Sequence, residues 1–439
     1  PGKTNPLLPI DIEIDNSQSR LYTVLEIDAP DTVGFLYEFT NALAFTRTNI
    51  ARMIVRSIGS RAQDVFFVTD ANGKKIEDLS KQRELRAAIV LIKHFTHLLP
   101  NSPNPETALL HFREFLGHLF QRPNWPDEIG SIGQSEVLKS LAHILGVSDF
   151  LWDDFLRMQY SNLFPVVKDM DALESSKPRS ILDAELDRVL ETCVVGGIGH
   201  PDWRSALNAF KDRELFRIDM RHILELTNEF WDFAAELTDL AEVVIERTYR
   251  LCRQELTDRY GEPQTNEGKT SDMVVLALGK CGGRELGFAS DIELMFVYTN
   301  DGMTTGPEIT ETSDFYERLV HSIVTTIHAR QEGIFQIDLQ LRPYGKAGSM
   351  AVSLDAFKRY YRPDGPAWAY ERQSLVKMRP ICGSVILGDE ICQFRDDFTY
   401  VDGLFDVTAM RAMRERQIRH LVTGGTFNAK FSPGGLVDV

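Results

Sequence analysis

Cysteine is scarce in this sequence. The five residues, Cys193, Cys252, Cys281, Cys382 and Cys392, are scattered and form no C-x-x-C pair. An odd, dispersed set makes neither a disulfide framework nor a zinc ribbon, so reduced thiols and a cytoplasmic setting are expected. Long apolar runs are also missing, as is the charged-then-apolar start of a secretory signal, which excludes a membrane-spanning helix and membrane attachment from the expectations. Nor is there a basic surplus: 48 Lys and Arg stand against 64 Asp and Glu, a net charge of −16. A general nucleic-acid binder needs the opposite sign to meet phosphates, so no nucleic-acid partner is expected. No internal repeat is visible. What is present suits a globular protein: 439 residues, 43% apolar and 26% charged. That is enough chain for two or three domains with a full core.

The most informative stretch is MVVLALGKCGGRELGFASDIELMFVY, residues 273–298. Met273–Leu278 is a short apolar run suited to a buried strand. Gly279, Lys280, Cys281, Gly282 and Gly283 follow, where the backbone must turn or approach something closely. Asp291–Tyr298 alternates as a second strand, which puts Asp291 and Glu293 on one face. Two carboxylates beside a glycine turn suit cation-assisted phosphoryl or nucleotidyl transfer: the acids hold the cations, while the glycine backbone and Arg284 face phosphates. In isolation such a pair is as often a solvated strand face. A third strand, Ile334–Leu341, shifts the balance, because it places Asp338 among Ile, Phe and Leu, where a carboxylate is costly unless paired or bound to a cation.

Gly-Gly, then D-x-E, then a strand Asp resembles the nucleotidyltransferase superfamily related to DNA polymerase β, with Glu293 where many members have Asp. Four ordered segments narrow the resemblance: LGKCGGRELGFASDIELMFVY, DLQLRPYGKAGSMAVSLDAFKRYY, AWAYERQSLVKMRP and KFSPGGLVDV. Together they resemble the bacterial glutamine synthetase adenylyltransferase family. The resemblance implies a magnesium-dependent enzyme with two Mg2+ ions and ATP as substrate. It moves an adenylyl group onto or off a tyrosine of glutamine synthetase, the partner protein. Asp291, Glu293 and Asp338 are then the catalytic and metal-binding acids. Gly282, Gly283, Arg284, Ser290, Arg342, Lys377 and Arg379 are the nucleotide-binding set, with the amides near Gly282 and Gly283 orienting the triphosphate. The run through Tyr344, Gly345 and Gly348 is nearer the half of the family that removes AMP by phosphorolysis, although ERQSL is nearer the adenylylating half. KFSPGGLVDV continues further in the family, so the chain is expected to be a fragment.

The chain order is expected to be a leader over 1–19, a regulatory domain over 20–99 and a helical region over 106–258. A nucleotidyltransferase domain over 259–390 and a helical segment over 391–439 complete it. In the second of these, IDAPDTVGFLYEFTNAL and RAQDVFFVTDANGKKI read as β-α-β-β-α, a ferredoxin-like half-sandwich whose fourth strand is not evident. They resemble an ACT domain, most closely the ACT modules of the uridylyltransferase that modifies PII-type signal proteins. That implies a small amino-acid effector such as glutamine near Asp31, Gly34, Phe35 and Leu36, a PII-type protein as a second partner, and self-association through the module. Ser80 is expected to cap the helix Ser80–Leu99. In the helical region, stripes run through Phe112, Phe115 and Leu119, through Leu138, Leu141 and Leu145, and through Leu151, Phe155 and Met158. Another runs through Leu237, Ala241, Val244 and Thr248. The fold class is α+β and multidomain, with a mixed sheet in the polymerase-β-like part. Two other functions compete: a uridylyltransferase-like modifier of a PII-type protein, and a non-catalytic amino-acid or nucleotide sensor.

Overall fold

The structure is a computed structural model describing residues 10–31, 34–122, 125–126, 135–147, 173, 175–194, 202–227, 229–288, 290–329, 334–362, 364–368, 371–400, 406–422 and 427–438. The stripe through Leu151, Phe155 and Met158 lies outside them. The chain forms two units, Pro1–Ser176 with Phe216–Asn228 and Lys177–Leu215 with Glu229–Val439. The expected helical region is therefore shared between the two. Among the described residues, no helix is long and apolar enough to cross a membrane.

The first unit is built on an antiparallel sheet in the order β1 (Asp11–Asp15), β2 (Thr23–Pro30), β5 (Arg61–Thr69), β3 (Asn49–Ile54), with β4 (Ser57–Ile58) beside β5. β2 (Thr23–Pro30) and β5 (Arg61–Thr69) alternate buried and half-exposed residues, as strands covered on one face do. Their register sets Leu25 against Phe66. α1 (Phe35–Phe45) and α2 (Leu79–Leu98) carry the apolar residues of that layer, including Phe39, whose ring centroid lies 4.4 Å from that of Phe66. The strand missing from the sequence reading is β1 (Asp11–Asp15), inside the stretch taken as a leader. It pairs antiparallel with β2. Its five residues, DIEID, contain two apolar positions, too few to stand out by periodicity. The cap of α2 is Asp78 rather than Ser80: the Asp78 carboxylate accepts from the Ser80 N–H at 2.8 Å. β3 (Asn49–Ile54) is the exposed edge of the sheet. Beyond α2, α3 (Pro105–Leu119) stacks Phe112 on Phe95 at 3.7 Å, and α4 (Ser135–Leu145) buries Leu138, Leu141 and Leu145.

In the second unit a mixed sheet runs β10 (Arg379–Gly383), β6 (Met273–Ala277), β7 (Ile292–Tyr298), β8 (Ile337–Asp338), with β9 (Ala351–Ser353) also on β7. β6 (Met273–Ala277) is buried along its whole length, the pattern of a strand covered on both faces. It pairs antiparallel with β7 (Ile292–Tyr298) and with β10 (Arg379–Gly383). One cluster of the core joins Leu276, Met295 and Val297 to Phe357 and Tyr361 of α10 (Leu354–Tyr361) and Ile391 of α11 (Val385–Thr399). The same unit holds α5 (Arg179–Val194), the first half of α6 (Trp203–Ile223), the 31-residue α7 (Phe230–Tyr260) and α9 (Thr312–Thr326). The stretch read as one long helix or two over Lys211–Cys252 is thus two.

The third strand is far shorter than expected. Of the expected strand Ile334–Leu341, only Ile337 and Asp338, as β8, form a ladder with β7, in parallel, aligning Asp338 with Glu293. The reason is local. The Asp338 carboxylate accepts from the Gln340 N–H at 2.7 Å, an Asx turn that diverts the backbone from the ladder.

Candidate functional site

Three carboxylates meet at the β7–β8 edge. Asp291 stands one residue before β7, close enough for its charge to act on Glu293, and parallel pairing brings Asp338 beside Glu293. Burial pushes the Glu293 carboxyl upward, the neighbouring charges of Asp291 and Asp338 push it the same way, and Lys280 pulls it back. The Glu293 Oε2 atom is shut off from solvent and has no hydrogen-bond partner. Such an orphaned, desolvated oxygen is costly unless something binds it. Among the described residues no three acids, histidines or cysteines already close around an ion. Asp338 spends its carboxylate on Gln340, through the backbone N–H and through Nε2 at 3.2 Å. The donor chemistry nevertheless fits a hard divalent cation, which takes carboxylate oxygens and repays the repulsion among them.

The glycine turn is locked to this strand. Leu278 donates its N–H to the Glu293 carbonyl at 2.9 Å. Gly279, at φ 51°, lies beneath the Glu293 carboxylate: a Cβ there would sit 2.7 Å from its oxygen. The turn then tightens into α8 (Gly279–Gly282). Here one expectation is corrected. The amides of Gly282 and Gly283 are already spent on the carbonyls of Leu278 and Gly279, at 2.8 and 3.0 Å, so they do not orient a phosphate chain. Gly282 is required for close packing instead, because a Cβ would stand 2.1 Å from the Lys377 carbonyl oxygen.

The basic residues are also placed otherwise than expected. Arg284 pairs with Asp239 at 2.8 Å and Glu242 at 3.5 Å, and Arg379 pairs with Glu242 at 2.5 Å. Arg379 also donates to the carbonyls of Cys281 and Gly282, both at 3.2 Å. Arg179 joins them on the other oxygen of Glu242 at 2.5 Å. Glu242 is only 1% exposed, and a buried carboxylate draws guanidinium groups because nothing else there offsets its charge. Lys377 pairs with Glu285 at 2.5 Å. Arg342 holds the loop after β8, donating to the carbonyls of Leu339 at 2.7 Å and Gly348 at 3.1 Å. In this structure these cations serve the scaffold rather than an open phosphate site.

Sequence reasoning missed the cation nearest the acids. Lys280 Nζ donates to Ser290 Oγ at 3.4 Å, and Ser290 Oγ also accepts from the Gly287 N–H at 3.0 Å. The signal was available in LGK, a lysine directly after a buried strand. Glu242 was missed too. Its signal is a single acid inside LAEVVI, where Leu240, Ala241, Val243, Val244 and Ile245 are all buried.

At the proposed effector site the residues separate. Gly34 opens α1 at φ 87° with free space around its Cα, and the Asp31 carboxylate accepts from Ser57 Oγ at 2.9 Å. Leu36 is half-buried. Phe35 belongs to the core: it is 4% exposed, stacks on Phe39 one turn later and lies under Lys93 Nζ at 4.6 Å. It faces no ligand.

Comparison with known proteins adds to this geometry. Residues 11–96 match the ACR9-like, ACT-like domain, a span that begins with β1. A protein of Aromatoleum aromaticum, named bifunctional glutamine synthetase adenylyltransferase/adenylyl-removing enzyme, is 33% identical over 270 residues, which is 56% of this chain and 28% of that protein. Its namesake in Thioalkalivibrio sulfidiphilus is 34% identical over 242 residues, 53% of this chain and 24% of that one. The namesake in Pasteurella multocida is 28% identical over 356 residues, 79% of this chain and 34% of that one. The chain spans about a third or less of the length of these relatives. The glutamate-ammonia ligase adenylyltransferase family matches residues 138–392, which include the glycine turn and all three acids. That match covers more than half of the 439 residues, and the chain belongs to this family.

Proposed function

We propose that the β7–β8 edge is a nucleotidyltransferase centre that moves an adenylyl group between a nucleotide and a tyrosyl oxygen of glutamine synthetase, in the cytoplasm. The observation that carries this is the stranded Glu293 Oε2 among three carboxylates, whose burial and mutual repulsion a bound cation would offset. The names of the relatives supply the acceptor and the adenylyl group.

Asp291, Glu293 and Asp338 would hold magnesium, two ions by the family resemblance. Bound there, the metal offsets charge on the phosphates and on the attacking and leaving oxygens. Asp338 is the acid best set to exchange a proton with the tyrosyl oxygen, being next to Glu293 yet on a separate strand. Lys280, hydrogen-bonded to Ser290, would meet the phosphate chain. In adenylylation the tyrosyl oxygen attacks the α-phosphorus of ATP, the bond to the β-phosphate oxygen breaks, and pyrophosphate leaves. In the reverse sense an oxygen of inorganic phosphate attacks the AMP phosphorus, the bond to the tyrosyl oxygen breaks, and ADP forms while the tyrosine regains its proton.

We assign the phosphorolytic direction, on the run from Arg342 to Tyr361. The ion pair of Arg379 with Glu242 withdraws one cation from that argument, so the direction rests on this run together with Lys280. The test is adenylylated glutamine synthetase incubated with the full chain, phosphate and magnesium. The expected result is loss of one AMP mass per modified subunit and release of ADP, only when both phosphate and magnesium are present. Label from ATP on the unmodified enzyme, with no ADP released from the modified form, would reverse the direction.

For the ACT-like module the proposal is a sensor of a small amino acid, glutamine by preference, seated near Asp31, Gly34 and Leu36 without Phe35. Its exposed edge strand β3 suits pairing with a second module, and a PII-type protein is the further partner proposed.

A further inference from the structure

The second unit buries a lysine on α6 that neither the acids nor the pairs around Glu242 account for. Lys211 is 1% exposed. Its ammonium group donates to Asp212 Oδ1 at 2.6 Å, and it meets the chain ahead of β8 at two points. It donates to the His328 carbonyl at 2.8 Å and lies 5.1 Å from the centroid of the Phe335 ring. Asn208, one turn earlier on α6, grips the same stretch. Its Nδ2 donates to the Thr326 carbonyl at 2.7 Å, and its Oδ1 accepts from the His328 N–H at 2.9 Å. Burying such a charge is costly, and apolar side chains would fill the space at equal or better stability. What a hydrogen-bonded ammonium supplies in return is direction.

The stretch so held sets the register of the acids. Phe335 donates its N–H to the Ser290 carbonyl at 3.0 Å, and the Gln336 carbonyl accepts from the Ile292 N–H at 2.8 Å. These two bonds bracket Asp291 and lead into the pairing of Asp338 with Glu293. β8 is only two residues long, too short for its own ladder to fix that alignment. A slip of one residue would turn Asp338 to the opposite face. Phe335 is also strained: it is 3% exposed and stands at φ 54°, a left-handed conformation that a bulky residue rarely adopts. Strain of this kind persists where the surroundings impose it, and here the ring is packed against the Lys211 ammonium.

We infer that Lys211 is a positioning residue for the carboxylate cluster. Together with Asn208 it fixes the approach to β8, and so the place of Asp338 beside Glu293. It acts through Asp338 and not on the substrate, since its ammonium group is engaged by Asp212, His328 and Phe335. Placement matters at this point because a cation is bound by oxygens at set distances, and residues behind the ligands govern how well they meet it.

This inference rests on the proposed function of the acids, and its test separates the two. Two variants of the full chain are made. Lys211→Met with Asp212→Asn removes both charges at once, so that neither is left buried alone. Phe335→Leu keeps both charges and removes the ring, and it carries the test should the double variant not fold. Tyr316→Phe, which loses a buried hydroxyl bonded to the Ser271 carbonyl, is the control for stability alone. Calorimetry with magnesium, steady-state kinetics and hydrogen exchange of the metal-free chain are the readouts. Both variants should raise the magnesium Kd about tenfold and lower kcat about ten- to a hundredfold, with the acceptor KM unchanged. Exchange should quicken in peptides covering 290–298 and 334–341 but not in those covering β6. Tyr316→Phe should lower the melting temperature and leave magnesium affinity alone. Wild-type magnesium affinity and exchange in the variants would overturn the inference and leave the function in place, provided that Glu293→Gln loses magnesium binding. Full turnover by Asp291→Asn would overturn both.

Discussion

Glu242 and Glu293 are both glutamates drawn into the interior of the same unit, and the fold treats them in opposite ways. Around Glu242 it gathers three arginines, from α5, from the turn after α8 and from the start of β10. Around Glu293 it gathers two more carboxylates and a single lysine, and leaves Oε2 without a partner. A compensated buried charge is architecture: it ties the long helix α7 to the glycine turn and the sheet. An uncompensated one is held in place by its surroundings against its own interest, and that is the mark of a site waiting for a charge from outside. Counting arginines near a glycine turn points to the wrong residues, because these arginines belong to the first kind of carboxylate.

The largest effect expected from this contrast is on turnover. Glu293→Gln should cut the magnesium-dependent rate by about a hundred- to a thousandfold, the usual cost of one electrostatic contact to the reacting centre. Its melting temperature in the absence of metal should hold or rise, because one of three repelling charges is gone. Steady-state rates with a thermal melt check both, and a lower melting temperature would place Glu293 with the scaffold.

Glu242→Gln should do the reverse. Removing the charge leaves guanidinium groups around a buried amide, at about 3 kcal/mol by the usual cost of breaking a buried pair. That is the low end of the range, because the arginines are about a third exposed and reach water. Denaturant unfolding measures it. Unchanged stability would mean that the three arginines find other partners.

The smallest effect is in pH dependence. The Glu293 carboxyl is raised in the folded protein, so between its ordinary value and the raised one the folded state binds more protons than the unfolded. Its contribution to metal-free stability is therefore complete below the ordinary glutamate value and lost as pH climbs through the raised one. Glu38 and Asp64 shift in the same direction, burial being the main cause for each, so the wild-type profile mixes several groups. The difference between wild type and Glu293→Gln isolates the one group. It should slope downward with rising pH, and a flat difference would mean that Glu293 titrates at its ordinary value.

How much of this was visible in the sequence follows from the range of the interactions. Alternation along Asp291–Tyr298 puts Asp291, one residue before β7, on the face of Glu293, because strand geometry has a period of two and needs only neighbours. The apolar run of β6, the glycine turn after it and the helix stripes of α3 and α7 are local in the same sense, and so is the αβ character of the ACT-like module. The Asx turn at Asp338 is also local, yet periodicity hides it, since hydrophobic alternation continues through Leu341 while the ladder does not. What tertiary structure alone decided is pairing across distance. Arg379 meets Glu242 across 137 positions, Lys377 meets Glu285 across 92, and Asn16 and Lys75 tie the first strand's end to the module across 59. No periodicity records which cation a buried acid will capture, because that depends on which side chains the packing of α7 against the sheet brings within reach. The sequence determined where the charges lie along the chain. The fold decided which were neutralised, and so which were left for chemistry.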